Sequence, residues 1–180
     1  LSRGLEMCIR DSITGGASGI GKELVKGFAE QGSNVAFLDL NDKAGERLSL
    51  DTGENVFFQK CDLKKVGNLK SSIEKLRAKI GLFDVLVNNA AHDDRHNWQE
   101  VTEAYWDERF ATNLRHQFFT IQSVAKDMIQ KGGGSIVNIG SNSWMEAVGN
   151  FPAYATAKSA VHGLSRTLAR DLGKHRIRVN

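Results

Sequence analysis

Two residues one helical turn apart, Tyr154 and Lys158, can do acid–base chemistry that neither does well alone. A tyrosine phenol with an ordinary pKa near 10 is a weak base at neutral pH. A cationic lysine at i+4 lies on the same helical face, favours the phenolate and pulls that value down. Ser141, 13 residues before Tyr154, could orient a substrate oxygen and share its developing negative charge. Together these groups would take a proton from an alcohol. Tyrosine and lysine at this spacing are common by chance, so the pair needs companions. Asn113 falls inside a helical pattern, where asparagine is a poor interior residue. Its amide is either satisfied by backbone or holds a water that links Lys158 to solvent.

The companion is a glycine stretch, Thr14-Gly15-Gly16-Ala17-Ser18-Gly19-Ile20-Gly21, between a short apolar approach and an amphipathic run. Glycines there take positive φ or let backbone reach a ligand, and the following helical turn offers unpaired N–H groups to a pyrophosphate. A flexible turn without a ligand is the plain alternative. Asp39 follows Gly21 by 18 positions, at the tip of the next apolar run. A carboxylate there accepts hydrogen bonds from an adenosine ribose and repels a 2′-phosphate, which favours NAD over NADP. Equally, Asp39 could cap the helix that follows. With a bound nicotinamide, the hydride has an acceptor and the phenolate has a reason to exist.

These groups require a scaffold that brings distant segments together. Apolar strand patterns at 34–38, 55–58, 83–87 and 135–139 alternate with helical patterns at 19–31, 42–50, 64–80, 102–130 and 154–172. Pro152 stands at the start of the last helix, where a missing N–H costs least. A sixth strand begins at Ile177. The alternation predicts an α/β fold, a doubly wound parallel sheet with helices on both faces. The candidate groups then gather at the carboxyl ends of the strands. Gly132-Gly133-Gly134 reads as a hinge into strand five. The polar loop 92–99 is either specificity equipment or a solvated connection.

Composition narrows the class. The chain has 180 residues, enough for a single domain with a core, and a net charge of +3. Its basic residues are scattered, which argues against nucleic acid as a partner. No apolar run of membrane-spanning length occurs, and a cytoplasmic location is the default. Cys8 and Cys61 form no disulfide framework, and neither they nor the five histidines have metal-ligand spacing.

In order and spacing the motifs resemble those of the short-chain dehydrogenase/reductase family, over 13–180. The glycine motif is Thr14 to Gly21, the adenine-flanking pair is Asp62 and Leu63, and Asn88-Asn89-Ala90-Ala91 matches NNAG with Ala91 in place of the usual glycine. Asn113, Ser141, Tyr154 and Lys158 fall on the family's catalytic positions. The resemblance implies a Rossmann-type domain that binds NAD through Gly15, Ser18, Gly19, Ile20, Gly21, Asp39, Asp62, Leu63, Asn89, Ala90, Ala91, Tyr154 and Lys158. It also implies a homodimer or homotetramer. Within the family, 88–96, 105–109, 113–119 and 140–144 are similar to bacterial aldose 1-dehydrogenases, which oxidise the anomeric hydroxyl of a monosaccharide to a lactone. A 3-oxoacyl-thioester reductase or a general alcohol dehydrogenase is the alternative within the family. His92, Asn142, Ser143 and Trp144, with Ser141 and Tyr154, would supply a sugar pocket, and Trp144 could as well be core packing. Asn142 stands where isoleucine is expected.

Both ends read as atypical. Residues 1–12 resemble a non-native lead-in, with Arg10 and Asp11 inside what should be an apolar strand, and the chain stops within strand six. Family members continue into a substrate lid and a seventh strand. The expectation is an incomplete domain, poorly soluble and silent on its own.

Overall fold

The computed structural model describes residues 9–180, so Cys8 and most of the suspected lead-in lie outside the described residues. Six parallel strands form one sheet: β1 (Arg10–Thr14), β2 (Asn34–Asp39), β3 (Val56–Lys60), β4 (Val85–Asn88), β5 (Gly134–Asn138) and β6 (Ile177–Val179). Their order is β3-β2-β1-β4-β5-β6. The chain winds outward from β1 to β3, then returns to β4 at the other side of β1. That reversal opens a crevice at the carboxyl ends of β1 and β4. Register puts Thr14 opposite both Leu38 and Asn88, and Asn88 opposite Asn138, so polar strand ends share one row.

The near-continuous apolar strands follow from burial on both faces. In β2, Ala36 and Leu38 enter one core with Leu69, Ile73 and Leu76 of α3 (Val66–Ile80) and Ile121, Val124 and Met128 of α5 (His116–Lys131). The alternate residues Val35 and Phe37 enter the second core, with Ile13 of β1, Val25 of α1 (Gly19–Glu30) and Leu48 of α2 (Asp42–Thr52). The doubly wound architecture read from the alternation is therefore the observed one.

Arg10, Asp11 and Ser12 are the first three residues of central strand β1, with Asp11 and Ser12 fully buried. Two local features differ from expectation. The helix expected over 102–130 is α4 (Glu103–Phe110), a π turn (Ala111–Arg115) and α5. Thr102 caps α4 by accepting from the Tyr105 N–H at 3.2 Å. Finally, 132–134 is a tight helix ending instead of a hinge. Gly132 is left-handed, and the N–H groups of Gly132 and Gly133 donate to the Ile129 and Met128 carbonyls at 3.1 and 2.9 Å. A Cβ on Gly134 would come within 2.5 Å of Met128. The last helix, α6 (Pro152–Gly173), carries Tyr154 and Lys158.

Candidate active site

The glycine loop is held from both neighbouring strands. Thr14 Oγ1 accepts from the Asn89 and Ala90 N–H groups at 3.0 and 3.1 Å. Asn89 Nδ2 donates back to the Thr14 and Gly15 carbonyls at 3.1 and 3.0 Å. Gly15 sits at φ +68°, and a Cβ on it would lie 2.8 Å from Ala90 Cα. Gly21 is tighter, since its Cβ would stand 1.9 Å from the Gly15 carbonyl oxygen. Gly19, by contrast, faces open space. Ser18 precedes α1 without spending its hydroxyl on a cap, and the first turn carries no acidic residue. The first-turn N–H groups are thus free for an anion, as a pyrophosphate cradle requires.

Gly21→Ala is expected to weaken dinucleotide binding at least about tenfold with the fold retained, because loop backbone must move. Fluorescence titration beside far-UV circular dichroism measures this. An unchanged Kd would show that Gly21 does not shape the cradle.

A cavity of about 720 Å³ opens over this loop. Ten of the predicted cofactor residues line it: Gly15, Ser18, Gly19, Ile20, Asp39, Asp62, Leu63, Asn89, Ala90 and Ala91. Gly21 supports the loop from behind. The capping alternative for Asp39 fails, since Asn41 caps α2 by accepting from the Ala44 N–H at 3.2 Å. Asp39 instead ties the glycine loop to β2, with Oδ2 accepting from the Ala17 N–H and Oδ1 from the Asn41 N–H, both at 2.9 Å. Each oxygen retains accepting capacity beyond that bond, and Asp39 lines the cavity. Burial pushes the Cys61 thiol up to about 11, so it serves as a neutral wall. These residues fit a dinucleotide: Asp39 would take the ribose hydroxyls and the α1 terminus the phosphates. Among the described residues no cluster suits a metal, and no helix is long and apolar enough to cross a membrane.

Lys158 is 1% exposed, and its ammonium donates to the Ile139 carbonyl at 2.6 Å. Burial lowers its pKa to about 8. The ammonium lies 5.8 Å from the centre of the Tyr154 ring. The Tyr154 phenol departs from expectation. Burial pushes its pKa up, the Ser141 hydrogen bond opposes that, and the Asp93 charge adds to it, so the phenol sits above its ordinary value in the protein alone. Ser141 donates to Ser143 Oγ at 2.8 Å and accepts from the Ser143 N–H at 3.2 Å, which fixes its hydroxyl.

Asn113 occupies the middle of the π turn. Its Oδ1 accepts from the His92 N–H at 2.8 Å, and its Nδ2 donates to the His92 and Arg109 carbonyls at 3.1 and 3.0 Å. The side chain is satisfied by backbone. Behind it His116 is fully buried, and among the described residues neither ring nitrogen makes a hydrogen bond of ordinary geometry. Burial, then the Lys158 charge, lowers its pKa to about 4, which keeps the ring neutral.

Of the expected sugar-pocket residues, Ser141 and Ser143 are bonded to each other, and the others are spread more widely. His92 lines the cofactor cavity, held by Arg109 and by Asp94 at 3.2 Å. Asn142 is exposed and donates to Glu146 at 2.6 Å. Ser143 and Trp144 line a separate hollow with Ala155, Thr156 and Ser159, and the indole lies 6.0 Å from the His162 ring. Sequence reading missed buried Arg109, which bridges Glu108 and the 92–94 loop. A charge four residues after Tyr105 and four before Asn113, on the apolar stripe, was the available sign.

Known proteins resemble this chain in sequence and fold. The family model "short chain dehydrogenase" matches residues 12–180. D-xylose 1-dehydrogenase of Caulobacter vibrioides is 45% identical over 170 residues, covering 93% of this chain and 67% of the relative. A Rhizobium meliloti protein described as "Probable galactose dehydrogenase GalD" is 45% identical over 172 residues with the same coverage. The solved structure of gox2181 superimposes with a TM-score of 0.90 at 28% identity, over 96% of this chain and 69% of that one. The chain belongs to the short-chain dehydrogenase family, the NAD(P)-dependent oxidoreductases that act on CH–OH groups.

Proposed function

We propose that the chain carries the catalytic core of an NAD-dependent sugar 1-dehydrogenase, located in the cytoplasm, that oxidises the anomeric carbon of an aldose to the lactone. The observation that carries this reading is Asp39 in the dinucleotide cavity of a chain 45% identical to a D-xylose 1-dehydrogenase. NAD, when bound, accepts the hydride from the anomeric carbon. Ser141 orients the anomeric hydroxyl, and Tyr154 takes its proton as general base. Buried Lys158 binds the nicotinamide ribose and supports the phenolate, while Asn113 fastens the His92 backbone along the cavity. The exposed Phe118 and Ile129 on α5 support a homodimer or homotetramer.

NADH formation across a panel of pentoses and hexoses, with NAD and NADP compared, tests the assignment. Turnover of at least one aldose with a lower KM for NAD is expected. Activity confined to acyl thioesters or simple polyols would sink the sugar assignment. A clear NADP preference would overturn the role given to Asp39.

A further inference from the structure

The helix that carries the proposed base lacks a cap of its own. Phe151 occupies the N-cap position of α6 with no side-chain bond, and Pro152 has no N–H to offer. The partner comes from the loop after β4, more than fifty residues away. His96 Nε2 accepts from the Ala153 N–H at 3.3 Å, and the His96 N–H donates to the Asn150 carbonyl at 2.7 Å. Beside it Arg95 donates to the Gly149 carbonyl at 3.1 Å. The Arg95 guanidinium lies over the Phe151 ring at 4.0 Å, and Phe151 in turn stacks on Tyr154, with centroids 5.3 Å apart and planes at 7°. Ala147 and Asn150 both hold positive φ, a conformation that persists in non-glycine residues only where surroundings impose it.

The ring of His96 is specified at both nitrogens. Nε2 must be unprotonated to accept from Ala153. The proton therefore sits on Nδ1, 2.9 Å from the Asp94 carbonyl and 3.0 Å from Tyr105 Oη. Tyr105 also packs edge-on against the imidazole, at 4.9 Å and 65°. The same loop begins at His92, whose backbone is bound on both sides by the Asn113 amide. One short segment thus joins the cofactor cavity, the π turn and the first turn of α6.

We propose that His96 caps the N-terminus of α6 from the β4 loop, and that His96 and Arg95 are positioning residues for Tyr154. His96 fixes the start of the helix, and Arg95 presses Phe151 against the tyrosine ring. The phenol is thereby held toward Ser141, where proton transfer depends on sub-ångström placement. The catalytic part rests on the base role given to Tyr154; the capping part does not.

Comparison of His96→Leu, His96→Gln and Arg95→Ala with the parent protein tests this. Glutamine keeps an acceptor able to reach Ala153, and leucine keeps only bulk. His96→Leu and Arg95→Ala are expected to lower kcat roughly ten- to a hundredfold with KM for NAD within about twofold, and His96→Gln to recover most of the loss. Amide exchange of 153–155 is expected to accelerate in His96→Leu and to stay at the parent rate in His96→Gln. This arm needs no turnover, so it decides the cap even if no sugar is oxidised. The proposal is overturned if glutamine is as impaired as leucine, or if exchange is equal in all variants. A rise in KM for the alcohol at constant kcat also overturns it, since that marks a substrate contact. So does a kcat loss that only follows a loss of folded protein by circular dichroism.

Discussion

Tyr154→Phe is expected to lower kcat about 10³-fold, within the range that general acid–base groups contribute, and to leave NAD affinity within about twofold. The substitution removes one oxygen. It keeps the ring that stacks on Phe151, so α6 should stay where it is. The two shifts at this site oppose each other. Burial holds the phenol above its ordinary value and brings Lys158 down to about 8. Phenolate is the active form of the base, so oxidation should rise with pH. Because Lys158 loses its charge through about pH 8, the profile should bend there, and the bend should vanish in Lys158→Met. Steady-state kinetics across pH, with NAD affinity measured separately, check both points. A Tyr154→Phe protein that keeps a tenth of parental kcat would remove Tyr154 from the base role.

The scaffold for these groups was legible because its signals are local. Strands buried on both faces need unbroken apolar runs, as in Val35 to Leu38, and the six-strand winding follows from their alternation with helices. The cavity lining was legible for a related reason: glycines and a carboxylate at strand ends declare themselves by spacing. Contacts between distant segments left no such trace. The His96–Ala153 and Arg95–Gly149 bonds cross 57 and 54 residues, and the loop therefore read equally as solvated. The π turn was invisible because the apolar pattern is helical on both sides of it. The upward direction of the Tyr154 shift was not legible since sequence shows the neighbouring charge at i+4 but not the burial that raises the phenol.

Asp11→Val should stabilise the fold by about 3 kcal/mol at neutral pH, and the reason lies in the alternation of β1. Asp11 is two residues from Ile13, so both face the core that contains Val25 and Phe37. Its side chain is fully buried, and among the described residues neither carboxylate oxygen makes a hydrogen bond of ordinary geometry. Arg10 cannot neutralise it, because adjacent strand residues point to opposite faces. Burial raises the Asp11 pKa from 3.8 to about 6, with the Ser33 hydroxyl pulling the other way and the Asp84 charge adding to the rise. An acid whose pKa is higher in the fold binds its proton more tightly there. Its penalty is therefore absent below pH 3.8, grows as pH rises to about 6, and stays constant above that. About two pKa units correspond to about 3 kcal/mol. Valine removes the buried charge, suits a strand and fills the core face. For a domain of this size that gain corresponds to roughly 6–12 °C in Tm. Denaturant unfolding of both proteins between pH 4 and pH 7 checks this. The parent should lose stability across that window and Asp11→Val should not. A variant no more stable than the parent at pH 7, or one with the same slope, would show that Asp11 finds solvent or a partner in solution.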